Sequence, residues 1–367
     1  MNYSEDVVYR VALTLVKNLG PINARKLVSH CGGVKEVFEE AKRGFKNVEG
    51  VRAKLIKDEF NDDLLKDAQK EVDFASENGI DIYFYLDKEY PNRLKYCQDS
   101  PLVLYGKGNL RLNPGRVLSV VGTRRATPYG LDECEKIIGE LSETGVTIVS
   151  GMAYGIDICA HKSALKNDLP TIGCLGHGLD RFYPALHRST AEKMMGKGGV
   201  ITEFRSGTRP DAQNFPRRNR IVAGMADGVL VVESGHKGGS LITANLAFSY
   251  SRDVMALPGR VGDTYSTGCN RLIKEQKASL VQSADDVMYV MGWNRESVTP
   301  SSNQHKLFVD LTEEEERIVE ALRIGKSAID ELSVQSGIPM SKTNSLLLNM
   351  EFNGLVRSLP GKVYELC

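Results

Sequence analysis

The chain has 367 residues, 41% of them apolar, which exceeds one typical domain and is ample for a sizeable core. Its 47 Lys and Arg balance 47 Asp and Glu, so overall charge points to no partner. Seven widely spaced cysteines without a C-x-x-C pair argue against a disulfide framework or a zinc site. A reducing cytoplasm suits them, and an acidic N-terminus with no apolar run near the ~18 residues of a span argues against secretion or a membrane partner.

Residues 1–80 read as a helical domain. Val7, Val8, Val11, Ala12 and Leu15 fall at helical spacing, and Leu19 to Leu27 reads as half of a helix-hairpin-helix, with Gly20 in the hairpin and Pro21 opening the next helix. Val48 to Ile56 repeats the pattern. Such hairpins either hold DNA phosphates on backbone amides or simply pack, and both readings stand.

Residues 81–293 change to short apolar strands alternating with helices: Val117 to Val121, Thr147 to Val149, Thr171 to Leu175, Val229 to Glu233 and Val254 to Leu257. Strands buried on both faces predict an α/β fold, a doubly wound, Rossmann-like parallel sheet, with ligands at the strands' carboxyl ends. Polar or glycine-rich turns follow there, at Gly122 to Arg125, Ser150 to Gly155, Gly176 to Gly178 and Ser234 to Ser240. Residues 294–308 read as a linker and 309–367 as a winged helix, with three helical segments and a two-stranded wing. From Val309 onward six cations face ten acids, a sign unsuited to duplex DNA and better suited to a protein contact.

Locally the charge is uneven. From Arg181 to Arg220 nine cations stand against three acids, which predicts a confined anionic ligand. The densest part is Asn214-Phe215-Pro216-Arg217-Arg218-Asn219-Arg220-Ile221. Guanidiniums match phosphates and stack on bases, amides read base edges, and the ring offers a face to an unpaired base. The plainer reading is a buried helix face with a basic first turn. Arg124, directly after a strand, is a second anion contact unless it pairs with a buried acid such as Asp157. Gly238, Gly239 and Ser240, followed by Thr243, form an anion cradle before a helix.

Ser150, Asp157 and His161 invite a catalytic triad, but the serine is not in a G-x-S-x-G elbow, and an aspartate capping a helix is the commoner use. There is no H-E-x-x-H, no G-x-x-x-x-G-K-[ST] and no G-x-G-x-x-G, so no metal, ATP hydrolysis or nicotinamide cofactor is expected.

Six blocks in order resemble the DNA-processing protein A family (DprA, also called Smf): Val121 to Arg124; Ser150 to Asp157 with His161; Gly178 to Asp180 with Tyr183-Pro184; Phe215 to Ile221; Gly239 to Ala244; and Leu257 to Gly259. The resemblance implies a non-enzymatic protein that binds and shields incoming single-stranded DNA during natural transformation and helps load the RecA recombinase. It puts the strand-binding arginine at Arg124 and the base-contacting aromatic at Phe215, followed by Arg218, Asn219 and Arg220. Some relatives carry lysines where this chain has Ala185, Ala212 and Gln213, and Arg188, Arg209 and Arg217 are the cations available to replace them. The family's dimers imply an interface near Leu272 and Ile273. The alternative is an enzyme resembling nucleoside monophosphate phosphoribohydrolases, whose glycine-rich turn carries a catalytic glutamate that Gly238 to Ala244 lacks.

Overall fold

The computed structural model describes residues 3–45, 48, 51, 56–293, 311–359 and 361–366. Most of the second hairpin, Val48 to Ile56, and the whole linker, 294–308, lie outside them. The N-terminal helices are α1 (Glu5–Leu15), α2 (Pro21–Cys31), α3 (Val34–Lys42) and α4 (Asp62–Glu77). Pro21 opens α2 as expected, and Gly32 ends it in the left-handed region at φ 87°.

Next come β1 (Asp81–Phe84), α5 (Asn92–Lys95), β2 (Val103–Gly108), β3 (Val117–Val121), α6 (Pro128–Glu140), β4 (Thr147–Gly151), α7 (Ile156–Lys166), β5 (Thr171–Cys174), α8 (Arg188–Met194) and β6 (Gly199–Thr202). They are followed by α9 (Asn214–Met225), β7 (Gly228–Val231), α10 (Gly239–Ser249), β8 (Asp253–Ala256), α11 (Thr267–Lys274), β9 (Ser279–Leu280) and α12 (Ala284–Val290). Strands β1 to β9 form one sheet in the order β1-β2-β6-β5-β4-β3-β7-β8-β9. Every pairing from β6 to β9 is parallel, while β1-β2 and β2-β6 are antiparallel. The doubly wound expectation holds, with an antiparallel edge added. Each of β3, β4, β5, β6 and β7 is buried along its whole length, the pattern of strands covered on both faces.

Strand order reverses between β3 and β7, because the chain builds outward from β3 through β4, β5 and β6 and then returns to β3's other side. Ligands of open parallel sheets bind at that switch. The N-terminal helices share one hydrophobic core with the sheet, from Val8, Leu13 and Leu27 through Leu104 to Ile201. Arg10 pairs with Asp87 at 2.7 Å, and Glu71 accepts the Ser206 N–H at 2.8 Å, so polar ties fasten the same seam.

The remaining elements are α13 (Glu313–Arg323), β10 (Ser327–Ala328), α14 (Ile329–Ser336), α15 (Met340–Phe352), β11 (Val356–Leu359) and β12 (Val363–Leu366). This is the expected winged helix, with β10 adding a third strand to the wing, and it has its own core around Ile318, Leu332 and Leu347.

Candidate nucleic-acid interface

A cleft of about 620 Å³ opens at the switch point, walled by the turns after β3, β4 and β7 and by the starts of α9 and α10. Gly155 makes the β4–α7 turn possible. Its φ of 75° suits glycine, and a Cβ there would lie 2.2 Å from the Thr123 carbonyl. That carbonyl accepts the Ile156 N–H at 3.2 Å, tying the start of α7 to the loop that carries Arg124.

Arg124 is exposed at the rim, its guanidinium over the Phe215 ring at 5.3 Å from the centroid. Tyr183, 49% exposed, flanks the same ring at 6.1 Å and 35°. Phe215 is half-buried in the first turn of α9, its ring against Gly176, where a Cβ would lie 3.1 Å from it, and it lines the cleft. Sequence reasoning gave Tyr183 no role, although its Tyr-Pro step belongs to one of the six blocks. It also passed over Lys237, Ile242 and Tyr265 in the opposite wall.

The four residues from Arg217 to Arg220 part company, because successive helical positions turn by about 100°. Arg218 is buried in the cleft floor, where its Nη1 donates to the Cys174 carbonyl at 2.6 Å and its Nε finds no partner among the described residues. It is this arginine, rather than Arg124, that chiefly offsets Asp157. Burial pushes the Asp157 carboxyl above its ordinary range, and Arg218 pulls the other way. Gly151 is needed beside them, since a Cβ there would lie 1.9 Å from Arg218 Nη1. Asn219 is buried in the cleft wall, and its amide donates to the Gly239 carbonyl at 3.2 Å, fixing α9 against α10. Arg217 and Arg220 face away from the cleft. Arg220 donates to Glu203 and to the Asp99 carbonyl, while Arg217 lies over Phe204 at 5.1 Å and 3.5 Å from Glu203. Of the replacement cations, Arg188 pairs with Glu192 at 2.9 Å and Arg209 is exposed.

Gly238 and Gly239 start α10 with no side-chain cap, leaving its first N–H groups for an anion. The Ser240 hydroxyl donates to Ser234 at 2.9 Å, and the Thr243 hydroxyl to the Gly239 carbonyl at 3.3 Å, so both brace the turn while lining the cleft. Asp157 does not cap α7, whose N-cap is Gly155 without a side-chain bond; it sits in the first turn facing inward.

Ser150, Asp157 and His161 do not assemble into a triad. Ser150 donates to the Val120 carbonyl at 2.6 Å, and His161 is enclosed, its Nε2–H donating to the Gly151 carbonyl and its Nδ1 accepting from Thr171, both at 2.7 Å. The Glu233 carboxylate takes the Thr127 N–H and hydroxyl. Of the proposed dimer pair, Leu272 is 2% exposed and packs inside the subunit, and Ile273 is half-buried against the same core.

Residues 81–292 match the model of DNA recombination-mediator protein A, and residues 308–362 match the DprA winged helix domain. The chain belongs to the DNA recombination-mediator protein A family. It is 29% identical to protein Smf of Synechocystis over 99% of both chains, and 42% identical to DNA processing protein DprA of Streptococcus pneumoniae over 55% of this chain and 71% of that one. The crystal structure of the pneumococcal family member superposes with a TM-score of 0.64 at 32% identity, covering 79% of this chain and 98% of that one. A Helicobacter pylori family structure, described for its single-stranded DNA binding mode, gives 0.53 at 27% identity over 58% of this chain and 96% of that one.

Proposed function

We propose that the protein binds single-stranded DNA in the switch-point cleft, shields incoming strands during natural transformation, and helps load the RecA recombinase onto them. The observation that carries the reading is the ledge of Tyr183, Phe215 and Arg124 set opposite the uncapped start of α10, a stacking surface facing an anion cradle. Phosphates bind on Arg124 and on the N–H groups of Gly238, Gly239 and Ser240, with Thr243 and Asn219 holding that turn in place. A base stacks on Phe215, and Arg218 offers its unpaired Nε–H from the floor. The Helicobacter relative's single-strand binding supports the ligand class. The protein acts in the cytoplasm as a homodimer paired through the edge near Ile273, and as a mediator rather than a catalyst. The reading calls for no cofactor or metal.

Mobility shifts with single-stranded and duplex DNA of equal length test it. Single strands are expected to bind tighter, with a log–log salt slope of about 0.7 per phosphate contact. Equal affinity for both forms, or release of free base from nucleoside monophosphates, would overturn the reading.

A further inference from the structure

We propose that a second stretch of the single strand binds outside the cleft, in the groove between the N-terminal hairpin and the outer face of α9. The proposal rests on the single-strand reading of the cleft. This groove, of about 290 Å³, is bordered by Gly20 and Pro21 on one side and by Glu203, Arg205, Arg217 and Arg220 on the other, with Tyr105 in its wall.

Its polar atoms are built but unmatched. Glu203 spends Oε2 on Arg217 and Arg220, while its Oε1 is buried without a partner, and the side chain as a whole is only 7% exposed. The Tyr105 hydroxyl and Arg220 Nε are likewise buried and unpartnered among the described residues. These atoms lie just beneath the surface of the groove that their residues line; turned outward, a carboxylate oxygen, a phenol and a guanidinium N–H would match the mixed donor and acceptor edge of a nucleobase, whereas a bare phosphate would find the carboxylate repulsive. Phosphate is served at the rim instead. Arg205 is exposed, Arg217 is 60% exposed, and α2 begins at the hairpin with no side-chain cap on its first N–H groups.

The route between the two sites is short. One loop borders both, with Arg205 and Thr208 on the groove and Pro210 and Ala212 on the cleft. One helix divides them, with Phe215 and Arg218 facing the cleft and Arg217 and Arg220 facing the groove. A strand leaving the ledge crosses the first turn of α9 and meets the rim arginines on the far side. The hairpin thereby gains a ligand role.

The test compares single strands of about 5 and about 20 nucleotides, bracketing most of the ~4–16 nucleotides that single-strand grooves hold. Arg205→Glu with Arg217→Glu should weaken the long strand about tenfold or more and lower its salt slope by about 0.7 per arginine, leaving the short strand unchanged. Gly20→Asp separates binding from folding. Gly20 is exposed, has ordinary extended backbone and open space for a Cβ, so Asp should cap α2 and raise the melting temperature while its charge repels the long strand. Long-strand binding unchanged by all three substitutions, while Arg124→Ala still weakens both lengths, would overturn the groove and leave the cleft standing. Equal losses on both lengths would also overturn it. Indifference of both lengths to Arg124→Ala would remove the single-strand reading itself.

Discussion

At the scale of single residues, Phe215 separates stacking from packing. Phe215→Ala is expected to cost roughly 1–3 kcal/mol of single-strand affinity, one stacked base, with an unchanged salt slope because no charge is lost. The ring is only half-buried, so the stability loss should be small; a large fall in stability with affinity intact would show that the ring serves the core. This ring and Arg124, which the structure brings to 5.3 Å of each other, stood out in the sequence because each is the distinctive chemistry of its own turn. It could not sort Arg217, Arg218 and Arg220, since which side of α9 faces the cleft depends on the helix's rotation against β3, β4 and β5. Arg218→Ala therefore strands the buried Asp157, and an effect on folding is expected where the sequence alone suggested a surface contact. His161 carries a second expectation. Burial holds its pKa down, from 6.5 to about 4. The folded chain then binds fewer protons than the unfolded chain between those values, so this contribution is intact above about pH 6.5 and is lost as pH falls toward 4. Urea unfolding at several pH values should show up to about 3 kcal/mol lost across that window, and His161→Gln should flatten the profile.

At the scale of elements, the β4–α7 turn links folding to binding. Gly155→Ala combines a left-handed backbone with a collision against the Thr123 carbonyl, and roughly 2–4 kcal/mol of stability should go. Because Thr123 precedes Arg124, single-strand affinity should fall in the molecules that remain folded. Thermal melts paired with strand titration check both, and a variant that melts normally would show that the turn relaxes freely. The parallel strands were readable because burial on both faces writes continuous apolar runs such as Val117 to Val121. The antiparallel edge was not. β2 opens on the apolar run Val103-Leu104-Tyr105 but continues into Gly106, Lys107 and Gly108, and β6 is four residues long, so neither says from its own residues which way its neighbour runs. The first hairpin was readable from Gly20-Pro21, a backbone signature needing no tertiary context.

At the scale of the whole molecule, the two flanking units differ in dependence. The N-terminal helices complete the sheet's own core, whereas the winged helix encloses a separate one. Deleting residues 1–80 should therefore lower the melting temperature sharply or leave the chain insoluble, while ending the chain after Trp293 should change the melt of the remainder little. Trp293, the chain's one tryptophan, is buried in the sheet domain and reports that melt by fluorescence. Equal tolerance of both deletions would contradict the shared core. The cleft itself is assembled from distant parts of the chain, since Gly122, Gly151, Phe215 and Gly239 meet only when β3, β4 and β7 are aligned. On the proposed reading, a strand lying across them would act as a reversible staple over the whole sheet. At a hundred times its dissociation constant it should add about 2.7 kcal/mol to the free energy of unfolding. Hydrogen exchange should then slow in β3 and β7 together rather than in the loops alone, and a bound strand would double as a folding ligand.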